Sequence, residues 1–400
     1  MNSTSAQVRK GLKNVVSSEH FAYIDIAKGI AILMIVFAHI NTEGTGISSI
    51  FYRNFYSFDI PLFFVLAGMT FCGPEVTFGQ FISKKAKRLL IPYLIYSIIT
   101  FVWYAMVEIS MPEFDLSATQ SIGESFIEIF LARGSVNYLQ HNPALWFVPC
   151  LFLTELLFFF ISKCKAWLKT VICILLGIVG YVFTLDFMPQ IFRELPFQAE
   201  VAFSALPFML IGNALVKKAG LDGIQKFFIK NKIAAWIGVA VSVVCVICLT
   251  NLNALFLPVD AKAHVSMGSN QLGNILIFYV NAVIGSIMIL MFSSLLADVM
   301  KERTALHKSW LVWLGERSYA IMAIHFPVKR RMVVLVAQAI NKWNLADIHG
   351  GFTKYTSGNL LASLVAFIFT MFITIIIAIA AESFMRNIQL PVRAKGDRQI

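Results

Sequence analysis

The sequence predicts an all-α, polytopic membrane helix bundle with about ten transmembrane helices and both termini in the cytoplasm. The first reason is composition: of 400 residues, 58% are hydrophobic and only 14% are charged, whereas a soluble protein carries about 25% charged residues. The second reason is that long apolar runs recur from Tyr23 to Phe384. The third is an uneven distribution of Lys and Arg between the connecting segments.

The apolar runs define the predicted spans, because a run of about 18–25 apolar residues is long enough to cross a bilayer as a helix. They cover residues 22–40, 54–73, 89–110, 144–162, 167–186, 199–216, 233–250, 272–297, 310–337 and 359–384. We expect residues 1–20 to form a short cytoplasmic tail, 21–384 a single transmembrane domain and 385–400 a second cytoplasmic tail. No cleavable signal peptide is expected, because the first run is of full length and no small-residue cleavage site follows it.

The basic residues indicate the orientation. With the N-terminus inside, the predicted inner segments hold 22 Lys and Arg residues and the outer segments hold 9, as the positive-inside rule requires. The net charge of +11 is therefore a topology signal, and we expect contact with membrane lipid but not with nucleic acid. The two longest outer connections, 111–143 and 338–358, are expected to face substrate.

The first span contains three ionisable residues: Asp25, Lys28 and His39. An ionisable group at the bilayer centre costs about 2.5–3.5 kcal/mol, so each should be paired or should face a polar cavity. Asp25 and Lys28 are three residues apart and can meet on one helix face. Lys28 and His39 share that face about 16 Å apart along the axis. The stripe is either a wall of a polar passage or an interfacial ion pair with a His at the wet end of the helix.

Several segments, in order along the chain, resemble acyltransferase family 3, a family of integral-membrane O-acyltransferases. The opening span is similar to the family's first span, and its start, IDIAKG, is especially similar to the fucose 4-O-acetylase-like subgroup. The other matching segments are FYSFDIPLFFVLAGMTF, KKAKRLLIPYLIYS, ALWFVPCLFLTELLFF, ALPFMLIGNALVKK and WLGERSYAIMAIHFP. The chain departs from the family pattern at Lys28, where many members have Arg, at Ala67, usually Ser, and at Asp59, where many members have His.

The resemblance implies transfer of an acyl group, usually acetyl from acetyl-CoA, to a hydroxyl of a cell-surface sugar, polysaccharide or lipid-linked glycan. Acetyl-CoA is then a co-substrate, no cofactor is bound, and the location is a bacterial inner membrane. His39 is the expected catalytic base, since imidazole has a suitable pKa for activating a hydroxyl. Asp25 and Lys28 complete the expected catalytic stripe, and Asp59 either orients His39 or caps a helix. Direct transfer and an acetyl-enzyme relay both remain open.

Further residues are candidates for substrate or donor binding, each with a structural alternative. Ser318 and His325 are two helical turns apart and share a face, although His325 is equally explained as a packed core residue. Pro327 is expected to kink their helix. Basic residues inside an apolar run are costly unless they line a polar cavity. The remaining candidates are Lys329, Arg330, Arg317, Arg88 and Trp146.

The alternatives for these candidates are a topology role for Arg317 and Arg88 and an interface-belt position for Trp146. Glu155 lies within an apolar run and needs a partner that the sequence does not identify. No metal-ligand motif is present. The competing functional interpretation is a glycolipid or acyl-group transporter or flippase, because polar residues in spans also mark transport paths.

Overall fold

A computed structural model describes residues 21–40, 47–73, 75–109, 121–134, 138–185, 187–257, 264–269, 271–303, 309–342 and 360–387. Residues 1–20 and 388–400, which make up the first predicted tail and most of the second, lie outside this set, as do parts of both long outer connections. The described residues form helices, turns and one isolated β-bridge between Ser266 and Gln271, with no strand. The predicted all-α class is confirmed.

The principal helices, in chain order, are α1 Ala22–Ile40, α2 Ile47–Tyr56, α3 Asp59–Met69, α4 Phe78–Glu108, α5 Ile122–Leu131, α6 Pro143–Ile161, α7 Ala166–Phe183, α8 Ala199–Ile229, α9 Lys232–Ala254, α10 Ile275–Arg303, α11 Trp310–Glu316, α12 Ser318–Lys342 and α13 Leu360–Asn387. Two π-helical turns interrupt α4, at Ala86–Leu90 and Tyr104–Glu108. The first turn of α6 is a 3-10 turn that begins at Pro143, where proline's fixed φ suits a helix start.

Eight of the helices within the described residues are long and apolar enough to cross a membrane. They are α1, α4, α6, α7, α8, α9, α10 and α13, and they coincide with eight of the ten predicted spans. The predicted span 54–73 instead falls on α2 and α3, which meet at Ser57 and Phe58. The span 310–337 is divided at Arg317 into α11 and α12. The number of crossings therefore stays a prediction.

The first span lies at the centre of the bundle. Helix α1 packs against α10, α11 and α12, and most of its side chains are buried. By contrast, only 17% of the apolar stretch of α7 and of α9 is buried, which leaves their apolar faces for lipid. The ionisable residues of α1 therefore face protein, where neighbouring helices can supply polar partners.

A close crossing fixes α1 against α11. A side chain at Gly29 would overlap the carbonyl oxygen of Leu311, and one at Gly315 would overlap the carbonyl oxygen of Asp25. Small residues at such a crossing let helix backbones approach closely, as in many membrane bundles. The crossing holds the end of α1 that carries Asp25 next to the start of α12.

Candidate active site

Helices α1 and α12 bring His39 and His325 into direct contact, although 286 residues separate them. Nδ1 of His39 lies 2.7 Å from Nε2 of His325. The ring planes differ by 2° and the ring centroids are 5.0 Å apart. That separation equals the N···N distance plus the two centroid-to-nitrogen radii, so the imidazoles are coplanar and joined edge to edge. The geometry is that of a hydrogen bond in the ring plane, not of stacked rings.

The surroundings of His325 determine which nitrogen donates. Its Nδ1 lies 2.8 Å from the carbonyl oxygen of Met322 and 3.1 Å from that of Ile321. A carbonyl oxygen only accepts, so Nδ1 of His325 carries the proton. In the neutral imidazole Nε2 of His325 then accepts from Nδ1–H of His39. The free lone pair of His39 is then on Nε2. His39 is partly exposed, whereas His325 is 0% exposed.

A buried lysine side chain lies beside the two imidazoles. Lys329 is 7% exposed and is close enough to interact electrostatically with both His39 and His325. Its Nζ lies 4.7 Å from the ring centroid of Phe326, and Phe326 also packs edge-on against His39 at 5.7 Å. Among the described residues Lys329 has no carboxylate partner. A buried cation in that situation is costly, which favours a role in holding a negatively charged group.

Aromatic residues of α2 adjoin His39 on its other side. The ring of Tyr56 lies 5.9 Å from that of His39, edge to face. Tyr52 lies 4.6 Å from Tyr56, and its hydroxyl is 2.7 Å from Nε2 of His264. None of these three residues was among the sequence candidates. The sequence signal of the two tyrosines is the dense aromatic content of FYRNFYSF, which core packing explains equally well, and His264 lies in a separate segment without such a signal.

Asp59 does not contact His39. It begins α3, is 2% exposed, and its Oδ1 accepts the backbone N–H of Ile60 at 2.6 Å. The imidazole of His325 occupies the orienting position beside His39 that the sequence analysis considered for Asp59. Because Asp59 also interacts electrostatically with Tyr56, it lies in the next layer around the site.

Asp25 and Lys28 form the ion pair expected from their spacing, with Nζ 3.2 Å from Oδ1. They lie near the opposite end of α1 from His39, with Lys28 about 16 Å and Asp25 about 21 Å away along the helix axis. Asp25 is 7% exposed, and Lys28 is half-buried. The pair is therefore separate from the two imidazoles, and any shared role requires an extended ligand or a passage along α1.

Arg330 contributes to a structural network. Its guanidinium donates to Oε2 of Glu108 and to the carbonyl oxygen of Gln140, each at 2.5 Å. Glu108 also accepts the indole N–H of Trp103 at 3.0 Å. The network connects α12 to the end of α4 and to the turn at 138–142, and the ligand-binding role of Arg330 stays a prediction.

The other sequence candidates lie away from the two imidazoles. Arg317 lies between α11 and α12 and donates to Glu382 of α13 at 3.0 Å, and Arg88 is exposed on the first π-helical turn of α4. Ser318 begins α12, half-buried and two turns before His325. Trp146 is buried against Gly268. The partner of Glu155 is Lys85, at 2.5 Å.

The turn preceding α6 carries two buried side chains that the sequence analysis missed. His141 is 0% exposed, and neither ring nitrogen has a hydrogen-bond partner among the described residues. Asn142 is also fully buried, and its Nδ2 donates to the carbonyl oxygen of Ala323 at 2.7 Å. Nothing in the sequence QHNP marks either residue, and the partner of Asn142 lies 181 positions later in the chain.

Comparison with known families shows which family the chain belongs to. The acyltransferase domain model of acyltransferase family 3 matches residues 21–381. No curated protein and no solved structure matches the chain significantly. The match covers nearly all the described helices, including those that carry His39 and His325. The chain therefore belongs to acyltransferase family 3, and it is a multi-pass membrane acyltransferase.

Proposed function

We propose that this protein is an acetyl-CoA-dependent O-acetyltransferase of the bacterial inner membrane that acetylates a hydroxyl of a cell-surface sugar, polysaccharide or lipid-linked glycan, like the fucose 4-O-acetylase-like subgroup it resembles. The hydrogen bond between His39 and His325 carries the proposal, because it gives His39 a defined tautomer with a basic Nε2. A hydroxyl acceptor needs such a base within hydrogen-bond reach to become a good nucleophile.

In the proposed reaction, Nε2 of His39 takes the proton of the acceptor hydroxyl as the hydroxyl oxygen attacks the thioester carbonyl of acetyl-CoA. The resulting tetrahedral intermediate carries a negative oxygen. When the C–S bond breaks, the sulfur of CoA leaves as a thiolate and takes the proton from Nε2, so that the products are the acetyl ester and free CoA. Throughout, Nδ1–H of His39 stays bonded to His325, which orients the ring and stabilises the imidazolium.

Lys329 supplies positive charge in this scheme. A fixed ammonium group in a desolvated site stabilises developing negative charge far better than water does, because its dipolar environment needs no reorganisation. Its burial beside both imidazoles, without a carboxylate partner among the described residues, suits the oxyanion of the intermediate. In this scheme the positive charge of Lys329 lies next to the oxygen that becomes negative in the intermediate.

The donor would reach the site along α1. Acetyl-CoA is made in the cytosol, and the distribution of Lys and Arg predicts that the Asp25 end of α1 is inside and the His39 end outside. Lys28 would bind the negatively charged part of the donor. The pantetheine arm would then span the roughly 16 Å between Lys28 and His39. The acceptor then meets the acetyl group at the outer end, near Tyr56.

The experiment that tests the function uses purified protein in nanodiscs with acetyl-CoA labelled in the acetyl group. Extracted cell-surface glycans and their lipid-linked precursors serve as acceptors, and empty nanodiscs are the control. Label on a glycan that alkaline ester hydrolysis removes supports the O-acetyltransferase. Movement of unmodified glycolipid across vesicles, without label transfer to any acceptor, contradicts the proposal and favours a transporter.

A further inference from the structure

The turn of α12 that carries His325 contains a defect in its backbone hydrogen bonding. Pro327 lies inside α12 and has no N–H, so the carbonyl of Ala323, four residues earlier, loses its helical donor. The two preceding carbonyls, of Ile321 and Met322, are the acceptors for Nδ1–H of His325. The weakened turn is therefore the one that sets the tautomer and orientation of the imidazole.

The side chain of Asn142 replaces the missing donor. Its Nδ2 donates to the carbonyl oxygen of Ala323 at 2.7 Å, and both residues are 0% exposed. The same turn is held again on the far side of Pro327, where Arg330 donates to the carbonyl oxygen of Gln140 at 2.5 Å. Residues 140–142 thus bracket Pro327 with two hydrogen bonds, one on each side.

The position of Asn142 is itself well determined. Its backbone is non-helical, with φ −160° and ψ 83°, because the residue before a proline is kept out of the α region. Its Oδ1 is buried and has no partner among the described residues. A buried amide whose oxygen has no hydrogen-bond partner is costly. The hydrogen bond from Nδ2 to the carbonyl of Ala323 is therefore the side-chain interaction that holds Asn142 in place among the described residues.

We infer that Asn142 is a positioning residue for the His39–His325 pair: it closes the gap that Pro327 opens in α12 and so fixes the carbonyls that orient His325. The inference rests on the proposed function, in which His39 is the base. Because a displacement of about 1 Å in a catalytic group can cost 100-fold in rate, loss of this bond affects catalysis more than substrate binding.

The test is a double-mutant cycle of Asn142→Ala and Pro327→Ala, measured by acetyl transfer and by thermal unfolding of the detergent-purified proteins. Pro327→Ala restores an N–H that can bond the Ala323 carbonyl within the helix. We expect Asn142→Ala alone to lower kcat about tenfold with KM within about twofold. In the Pro327→Ala background the same change should lower kcat less than about threefold, because the carbonyl no longer needs Asn142.

Asn251→Ala is the matched control, since Nδ2 of Asn251 also donates to a helix carbonyl, that of Ile247 at 2.8 Å, on an exposed surface. It should leave kcat unchanged. Equal losses from Asn142→Ala in both backgrounds, or an increase in KM without a change in kcat, would overturn the inference. A fully active His39→Asn variant would instead contradict the proposed function, and the coupling seen in thermal unfolding would still report on the bond between Asn142 and Ala323.

Discussion

Replacing His325 with Gln or with Asn separates its proposed orienting role from simple packing. In the structure, only Nε2 of His325 accepts from His39, whereas Nδ1 donates to the carbonyls of its own helix. A Gln side chain can place its amide oxygen near the position of Nε2 and keep the acceptor. An Asn side chain reaches only as far as Nδ1 and leaves Nδ1–H of His39 without a partner.

The size of the effect follows from the lost acceptor. A buried donor left unsatisfied costs about 1–3 kcal/mol, and each 1.36 kcal/mol corresponds to a factor of ten in rate. If the whole cost appears in the orientation of His39, His325→Asn lowers kcat about 5- to 150-fold. His325→Gln should keep kcat within about threefold of wild type, because it retains a hydrogen bond of similar strength.

The assay is steady-state acetyl transfer in nanodiscs, with kcat and KM measured for both substrates and with monodispersity checked by size exclusion. The expected order of kcat is wild type, then His325→Gln, then His325→Asn. Equal losses in the two variants would mean that the hydrogen bond to His39 is not what His325 contributes. Wild-type kcat in both variants would show that His325 only fills space.

Three further predictions concern the surroundings of the site. Lys329→Met should lower kcat about 100- to 1,000-fold, as loss of an oxyanion-stabilising group does, and Lys329→Arg should recover part of it; a change confined to KM would refute the assignment. Arg330→Met leaves Glu108 buried without its ionic partner, so denaturant unfolding should show that the free energy of unfolding falls by about 3–5 kcal/mol. Adding Glu108→Gln should reverse most of this loss, and an unchanged unfolding midpoint in Arg330→Met would contradict the network. His141 lies outside the predicted spans, and burial, with a smaller effect of the nearby Arg330 guanidinium, lowers its pKa to about 3. The unfolded chain, with a pKa of about 6.5, therefore binds a proton that the folded chain does not, and stability should fall by about 2 kcal/mol between pH 6.5 and 5. His141→Phe should remove that slope, and equal slopes for wild type and variant would contradict it.

Most of the fold could be predicted from the sequence because lipid imposes a simple rule. A helix that crosses a bilayer must be about 20 residues long and apolar, and eight of the predicted runs meet that condition as described helices. The rule fails for residues 54–73, where α3 is short, and for 310–337, which divides into a short α11 and a long α12 that carries Lys329, Arg330 and Arg331. Most apolar residues of α3 and α11 are buried inside the protein, and apolar content alone does not distinguish such a segment from a full crossing.

The site could be predicted only in part. His39 and the Asp25–Lys28 pair follow from spacing within one helix, which the period of 3.6 residues determines. His325 was identified as a candidate, but its bond to His39 depends on how α1 and α12 pack. The assignment of Arg330 to Glu108 could not be inferred either, because a buried charge requires a partner without indicating which one.

The measurement that tests the proposed role of His39 most directly is acetyl transfer by the His39→Asn variant. Asn can keep the hydrogen bond to Nε2 of His325, because its side-chain amide reaches the position of Nδ1, but it has no counterpart of the basic Nε2. We predict a correctly folded protein whose kcat falls at least about 100-fold, the usual contribution of a general base. A His39→Asn variant with kcat within about threefold of wild type would show that Nε2 of His39 is not the base.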